Sequence, residues 1–137
     1  MAWAAGARFA GFSGVEPWLP VDPRHPPLAV GAQEPDPTSV LAFTRGFLAW
    51  RKRHGALAEG EIRFLDAAEP VLVFIRGAGA GRVLCAFNLG AIAAEFDVPA
   101  GLAMELLSGH GLEGGLDGRT VRLPAHGGLF AAVQGPA

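Results

Sequence analysis

The chain has 137 residues, enough for one ordinary domain with its own core. Half of the residues are hydrophobic, 18% are charged and the formal net charge is -2. This composition excludes a disordered chain and gives no electrostatic case for nucleic acid or an anionic membrane as a partner.

Residues 1–35 are irregular. Prolines at 17, 20, 23, 26, 27 and 35 fix φ, remove donors and push the preceding residue out of the helical region. The opening "MAWAAGARFAGF" has no basic region followed by an apolar block, so no signal peptide is expected. No apolar run in the chain approaches the roughly 18 residues that cross a bilayer. Trp3, Phe9, Phe12, Trp18 and Leu19 are costly to leave in water, each worth about 1.5–3 kcal/mol when buried. The expectation is an ordered loop, pinned by these aromatics against a neighbouring surface.

Residues 36–54, "DPTSVLAFTRGFLAWRKRH", are expected to be a helix. Asp36 is the predicted N-cap and Pro37 suits the first helical position. Val40, Phe43, Phe47 and Trp50 recur at helical spacing, widened by Leu41 and Leu48. Arg51, Lys52, Arg53 and His54 complement the negative end of the macrodipole, and Gly55 is expected to end the helix.

Residues 59–134 change to strand rhythm. "VLVFIRG" and "RVLCAFNLG", joined through Gly77–Gly81, predict a hairpin. "EIRFLD", "AAEFDVP", "AMELLSG", "RTVRLPA" and "GLFAAVQ" surround it, separated by Gly or Pro. The predicted class is mainly β: an antiparallel β-sandwich preceded by an irregular Pro-rich segment and one α-helix.

Chemistry-bearing patterns are sparse. Cys85 is a lone cysteine in an apolar run and reads as a small buried hydrophobe, consistent with a reducing, cytoplasmic setting. Glu95 and Asp97 share one face of a strand, as a carboxylate pair would. Their alternation with Phe96 and Val98 makes them its wet side, and Glu59 and Glu61 read the same way. His25, His54, His110 and His126 lack metal-ligand spacing, and the two in glycine-rich loops, His110 and His126, are expected at the surface. Ser13 in "GFSGV" lacks the strand-then-helix setting of a nucleophile elbow. No catalytic residue, metal site or cofactor is assigned.

Several short motifs are spaced along the chain: Met1-Ala2-Trp3, Ala10-Gly11-Phe12-Ser13, Pro17-Trp18-Leu19-Pro20-Val21, Asp36-Pro37-Thr38-Ser39-Val40, Arg51-Lys52-Arg53-His54-Gly55-Ala56-Leu57, Val71 to Arg76, Arg82-Val83-Leu84 and Asn88-Leu89. In this order and spacing they resemble the C-terminal end of the α-amylase superfamily, in its α-glucosidase, oligo-1,6-glucosidase and trehalose synthase branch. The resemblance implies that residues 1–57 are the tail of a catalytic (β/α)₈ barrel, with 36–54 as its eighth helix. Residues 58–137 would be the antiparallel β domain that follows. It implies retaining hydrolysis of α-glucosidic bonds by carboxylates about 5–5.5 Å apart, on barrel strands that would precede residue 1. The chain by itself is then expected to be inactive, with the missing barrel as its partner.

Trp3 and Phe12 are the candidates for lining a sugar site, since aromatics pack on sugar faces. The Arg that commonly precedes Met-x-Trp in this family is absent, and the usual Asp after Trp is Ala4. Two other classes fit the residues: a free-standing accessory or carbohydrate-binding β module, or a protein that forms a homodimer through the helix stripe. The β module's aromatics, Phe64, Phe74, Phe87, Phe96 and Phe130, mostly hold core-type positions, which counts against a sugar platform.

Overall fold

The computed structural model describes residues 1–134. The chain divides into two compact units, Met1–Gly46 and the portion from Phe47 onward.

The first unit is held by its backbone. The Trp3 and Ala4 N–H groups both donate to the Ala10 carbonyl, at 2.8 and 3.1 Å. Val30 and Gly31 donate to the carbonyls of Ala2 and Trp3, which ties the chain start to a one-turn helix, α1 (Val30–Gln33). Asp22 accepts from the Arg24 backbone and guanidinium, both at 2.9 Å, and this pairing holds the Asp22 carboxyl down at about 2. The aromatics do not pin the loop: Trp18 is 92% exposed, and Trp3, Phe12 and Leu19 are also exposed. Turn bonds order the segment instead, around the small buried residues Ala10 and Ala29.

Helix α2 (Val40–Lys52) starts later than expected. Asp36 is not its cap. The Asp36 carboxylate accepts from the Thr38 N–H at 2.8 Å and the Thr38 hydroxyl at 2.7 Å, closing a turn that ends before the helix. Ser39 is the cap: its carbonyl accepts from Phe43 N–H and its Oγ from Ala42 N–H at 3.1 Å. Gln33 braces this turn, its carbonyl accepting from Ser39 Oγ and its side-chain oxygen from Leu41 N–H. Gly55 does not end the helix either. The chain leaves helical geometry at His54, and Gly55 opens a short third helix, α3 (Gly55–Glu59).

The second unit is the expected antiparallel sandwich. One sheet holds five strands in the order β1 (Ile62–Phe64), β2 (Val71–Arg76), β3 (Val83–Asn88), β8 (Gly128–Gln134), β5 (Ala103–Leu106). The other holds β4 (Ala94–Asp97), β7 (Thr120–Leu123) and β6 (Gly115–Asp117). The β2–β3 hairpin forms in the register Phe74 opposite Cys85 and Val73 opposite Ala86.

Strand alternation sends side chains of the large sheet into two cores. Val73, Ile75, Leu84, Ala86, Leu129, Ala131 and Val133 face the small sheet and meet Val98, Val121 and Leu123. Val83, Cys85 and Phe130 point the other way, where Trp50 of α2 and Leu57 of α3 cover them. This explains why β3 reads as a continuous apolar run: both of its faces are covered. It also answers what part of the helical stripe is for. Phe47 stacks on Trp50 with ring centroids 5.8 Å apart, and Trp50 lies 4.8 Å from the Phe130 ring.

Candidate functional site

The most site-like concavity of the first unit is an apolar cleft of about 500 Å³. Trp18 and Leu19 sit on a bend between Pro17 and Pro20, whose fixed φ and missing N–H keep this stretch out of helix and sheet. Phe12, Trp18, Leu19, Val21 and Leu28 supply apolar walls, and His25 is the one ionisable side chain in the lining. Phe12 therefore lies in the cleft wall. Trp3 is half exposed, outside that lining, and takes part through its backbone. Such a lining can pack against a flat apolar surface or a sugar face. With no carboxylate in its wall, it offers neither nucleophile nor acid for glycoside chemistry.

The second unit separates its polar groups rather than converging them. Glu95 accepts from Arg122 Nε at 2.9 Å, and Asp117 lies 3.5 Å from Arg122 Nη1. These carboxylates, Glu95 first, raise the Arg122 pKa. Asp97 accepts from Thr120 Oγ1 at 2.7 Å. The two strand carboxylates are thus engaged in cross-strand pairs on the exposed face of the small sheet. Glu59 and Glu61 are exposed. Ser13 Oγ donates to the Val15 carbonyl and accepts from Val15 N–H, which makes it a turn former. Among the described residues, no group of three His, Cys, Asp or Glu side chains could hold a metal ion. No helix among them is long and apolar enough to cross a membrane. Cys85 is buried, and desolvation pushes its thiol up to about 12.

His25 and His126 are exposed and His54 half-buried, but His110 departs from expectation. It is 6% exposed and packs edge-on against both Trp50 and Phe130, at centroid distances of 5.4 and 5.2 Å. Its flanking glycines, which suggested a surface loop, instead let the backbone curl back over Trp50: Gly109 and Gly111 have φ of 80° and 76°. Sequence reasoning also passed over the buried amide of Asn88, whose only trace was the Asn-Leu pair at the end of a strand.

Comparison with known proteins follows the same lines. Residues 60–130 match the family described as "Domain of unknown function (DUF3459)". A probable alpha-glucosidase of Rhizobium meliloti is 45% identical over 123 residues, 90% of this chain and 22% of that protein. A probable oligo-1,6-glucosidase 2 of Bacillus subtilis is 31% identical over 100 residues, 72% of this chain and 18% of that protein. The crystal structure of the alpha-glucosyl transfer enzyme XgtA superposes with a TM-score of 0.86 at 46% identity, over 98% of this chain and 25% of its own. The chain thus spans about a quarter or less of the proteins it matches. It belongs to the DUF3459 family, the β domain found at the C-terminal end of α-amylase superfamily enzymes.

Proposed function

We propose that this chain is the C-terminal part of a retaining, α-glucosidase-like glycoside hydrolase acting on the α-glucosidic bonds of oligosaccharides. In this role, residues 1–57 complete the catalytic barrel and residues 58–137 form the domain that follows it. The observation that carries the proposal is 45% identity over 90% of the chain to a probable alpha-glucosidase. The solvent-facing cleft supports it: Trp18, Leu19 and Val15 stand exposed on a loop that has no sheet of its own to cover them. A barrel surface of the parent enzyme is the natural cover, with Trp3 and Phe12 at the margin of its sugar site. The lone buried thiol is consistent with a cytoplasmic enzyme.

The chain contributes structure, not catalysis. The decisive experiment assays p-nitrophenyl α-glucoside with the product of the complete reading frame that carries this segment, and with the chain alone. Turnover by the complete product and none by the chain is expected. Hydrolysis by contaminant-free chain, or a complete product without a barrel, overturns the proposal. A homodimer through the helix stripe is the second reading. Val40 and Leu48 remain exposed for it, whereas Trp50 is engaged by the chain's own sheet. Light scattering separates the two, because a strict monomer removes the second.

A further inference from the structure

Trp50 joins the end of α2 to the sheet, and two imidazoles touch it. His54 lies 4.3 Å from its ring and His110 lies 5.4 Å away, nearly edge-on. The indole N–H donates to the Ser108 carbonyl at 2.8 Å, so the loop around residues 108–111 is fastened to the helix by this bond. The same loop is fastened at its far end by His110, whose Nδ1 accepts from Leu112 N–H at 3.1 Å. That bond requires a lone pair on Nδ1, hence a neutral ring with its proton on Nε2. A proton on Nδ1 would set N–H against N–H and place a cation among Trp50, Phe130 and the loop backbone.

We propose that His110 is an acid-sensitive latch: protonation at Nδ1 breaks the Leu112 bond, lifts the loop at 108–111 from Trp50 and loosens the seam between α2 and the large sheet. The surroundings offer little to hold the charge. The end of α2 carries Arg51, Lys52, Arg53 and His54, none of them an anion, and β3 and β8 carry no ionisable side chain other than Cys85. The one nearby acid in sequence is Glu113, which is exposed. Burial lowers the His110 pKa below its ordinary 6.5, outweighing the opposing pull of the Leu107 backbone. The sign follows from linkage. A histidine whose folded pKa is depressed contributes full stability above about 6.5, and that contribution is lost as pH falls toward the folded value.

The test is an NMR titration of the ¹⁵N-labelled 137-residue chain from pH 8 to pH 5, reading each imidazole's tautomer and the exchange of the Trp50 indole proton. His110 is expected as the Nε2–H tautomer at pH 8, with a midpoint below 6.5. At that midpoint, indole exchange corrected for its intrinsic pH dependence should accelerate at least about tenfold. His54→Gln should keep this response and His110→Gln should abolish it. A Trp50 indole that stays protected through the His110 midpoint overturns the latch, as does a response that disappears with His54→Gln. Should His110→Gln fail to fold, coincidence of the His110 midpoint with the onset of indole exchange in the wild-type sample still decides the question.

Discussion

Asn88 carries more of the fold than its size suggests. Its amide donates to the carbonyls of Ile92 and Pro124 at 2.7 and 2.9 Å, and its side-chain oxygen accepts from Gly90 N–H at 2.9 Å. One residue, 2% exposed, thereby closes the turn after β3 and ties it to the segment after β7. Asn88→Leu matches the volume but strands two carbonyls and one N–H, so a loss of about 1–3 kcal/mol in urea unfolding is expected. A loss below about 0.5 kcal/mol would mean that water replaces the amide. The carboxylates of β4 behave oppositely. Glu95→Gln removes one exposed, solvent-screened pair with Arg122, and no measurable change in urea unfolding is expected. In a complete enzyme that substitution should leave kcat unchanged. A loss of two or more orders of magnitude would make Glu95 part of the chemistry after all. Cys85 should resist a thiol reagent in the native chain and react at once in urea, and rapid labelling of the native chain would contradict its buried placement.

At the scale of elements, the start of α2 is a direct test of where a helix begins. Ser39→Ala removes the cap bond to Ala42 and should cost about 0.5–2 kcal/mol in thermal unfolding, whereas Asp36→Ala affects only the preceding turn. An equal or larger effect at Asp36 would restore the capping role that its position before Pro37 suggests. Both residues are good caps by type, and the choice between them depends on Gln33 reaching forward to Ser39 and Leu41, which no local pattern announces. A second element-scale constraint lies where α3 meets the end of β2. A side chain on Gly60 would place Cβ 2.6 Å from the Gly77 backbone, so Gly60→Ala must push α3 away from the strand. The strands themselves were legible because β3 and β8 are buried on both faces and β2 on alternate positions, so their sequences run almost continuously apolar. The edge strand β1 is exposed along its whole length, and only its partial alternation revealed it.

For the molecule as a whole, the two units contrast in how they meet water. The sandwich buries two cores of its own, whereas the first unit leaves Trp3, Phe12, Trp18 and Leu19 at the surface. The sequence announced the aromatics but not their exposure, because hydrophobicity says that a side chain wants cover and not which chain supplies it. His110 failed to be legible for a related reason: "SGHGL" has the composition of a surface loop, and only a tryptophan 60 positions earlier in the chain makes it an interior one. Acrylamide should quench Trp3 and Trp18 readily and Trp50 poorly. In a product that includes the barrel, Trp18 should become shielded, and unchanged quenching there would count against contact between this loop and the rest of the enzyme.

The strand order has a consequence for biosynthesis. β3 lies between β2, made just before it, and β8, the last strand of the sheet to be synthesised. Until β8 emerges, the nascent hairpin shows an open edge and two incompletely covered apolar faces, and β5 has no partner at all. Loss of β8 alone would therefore remove the strand that joins both halves of the large sheet. Chaperones that hold open edges would be engaged longest at this stage, and deletion of β8 should leave insoluble product.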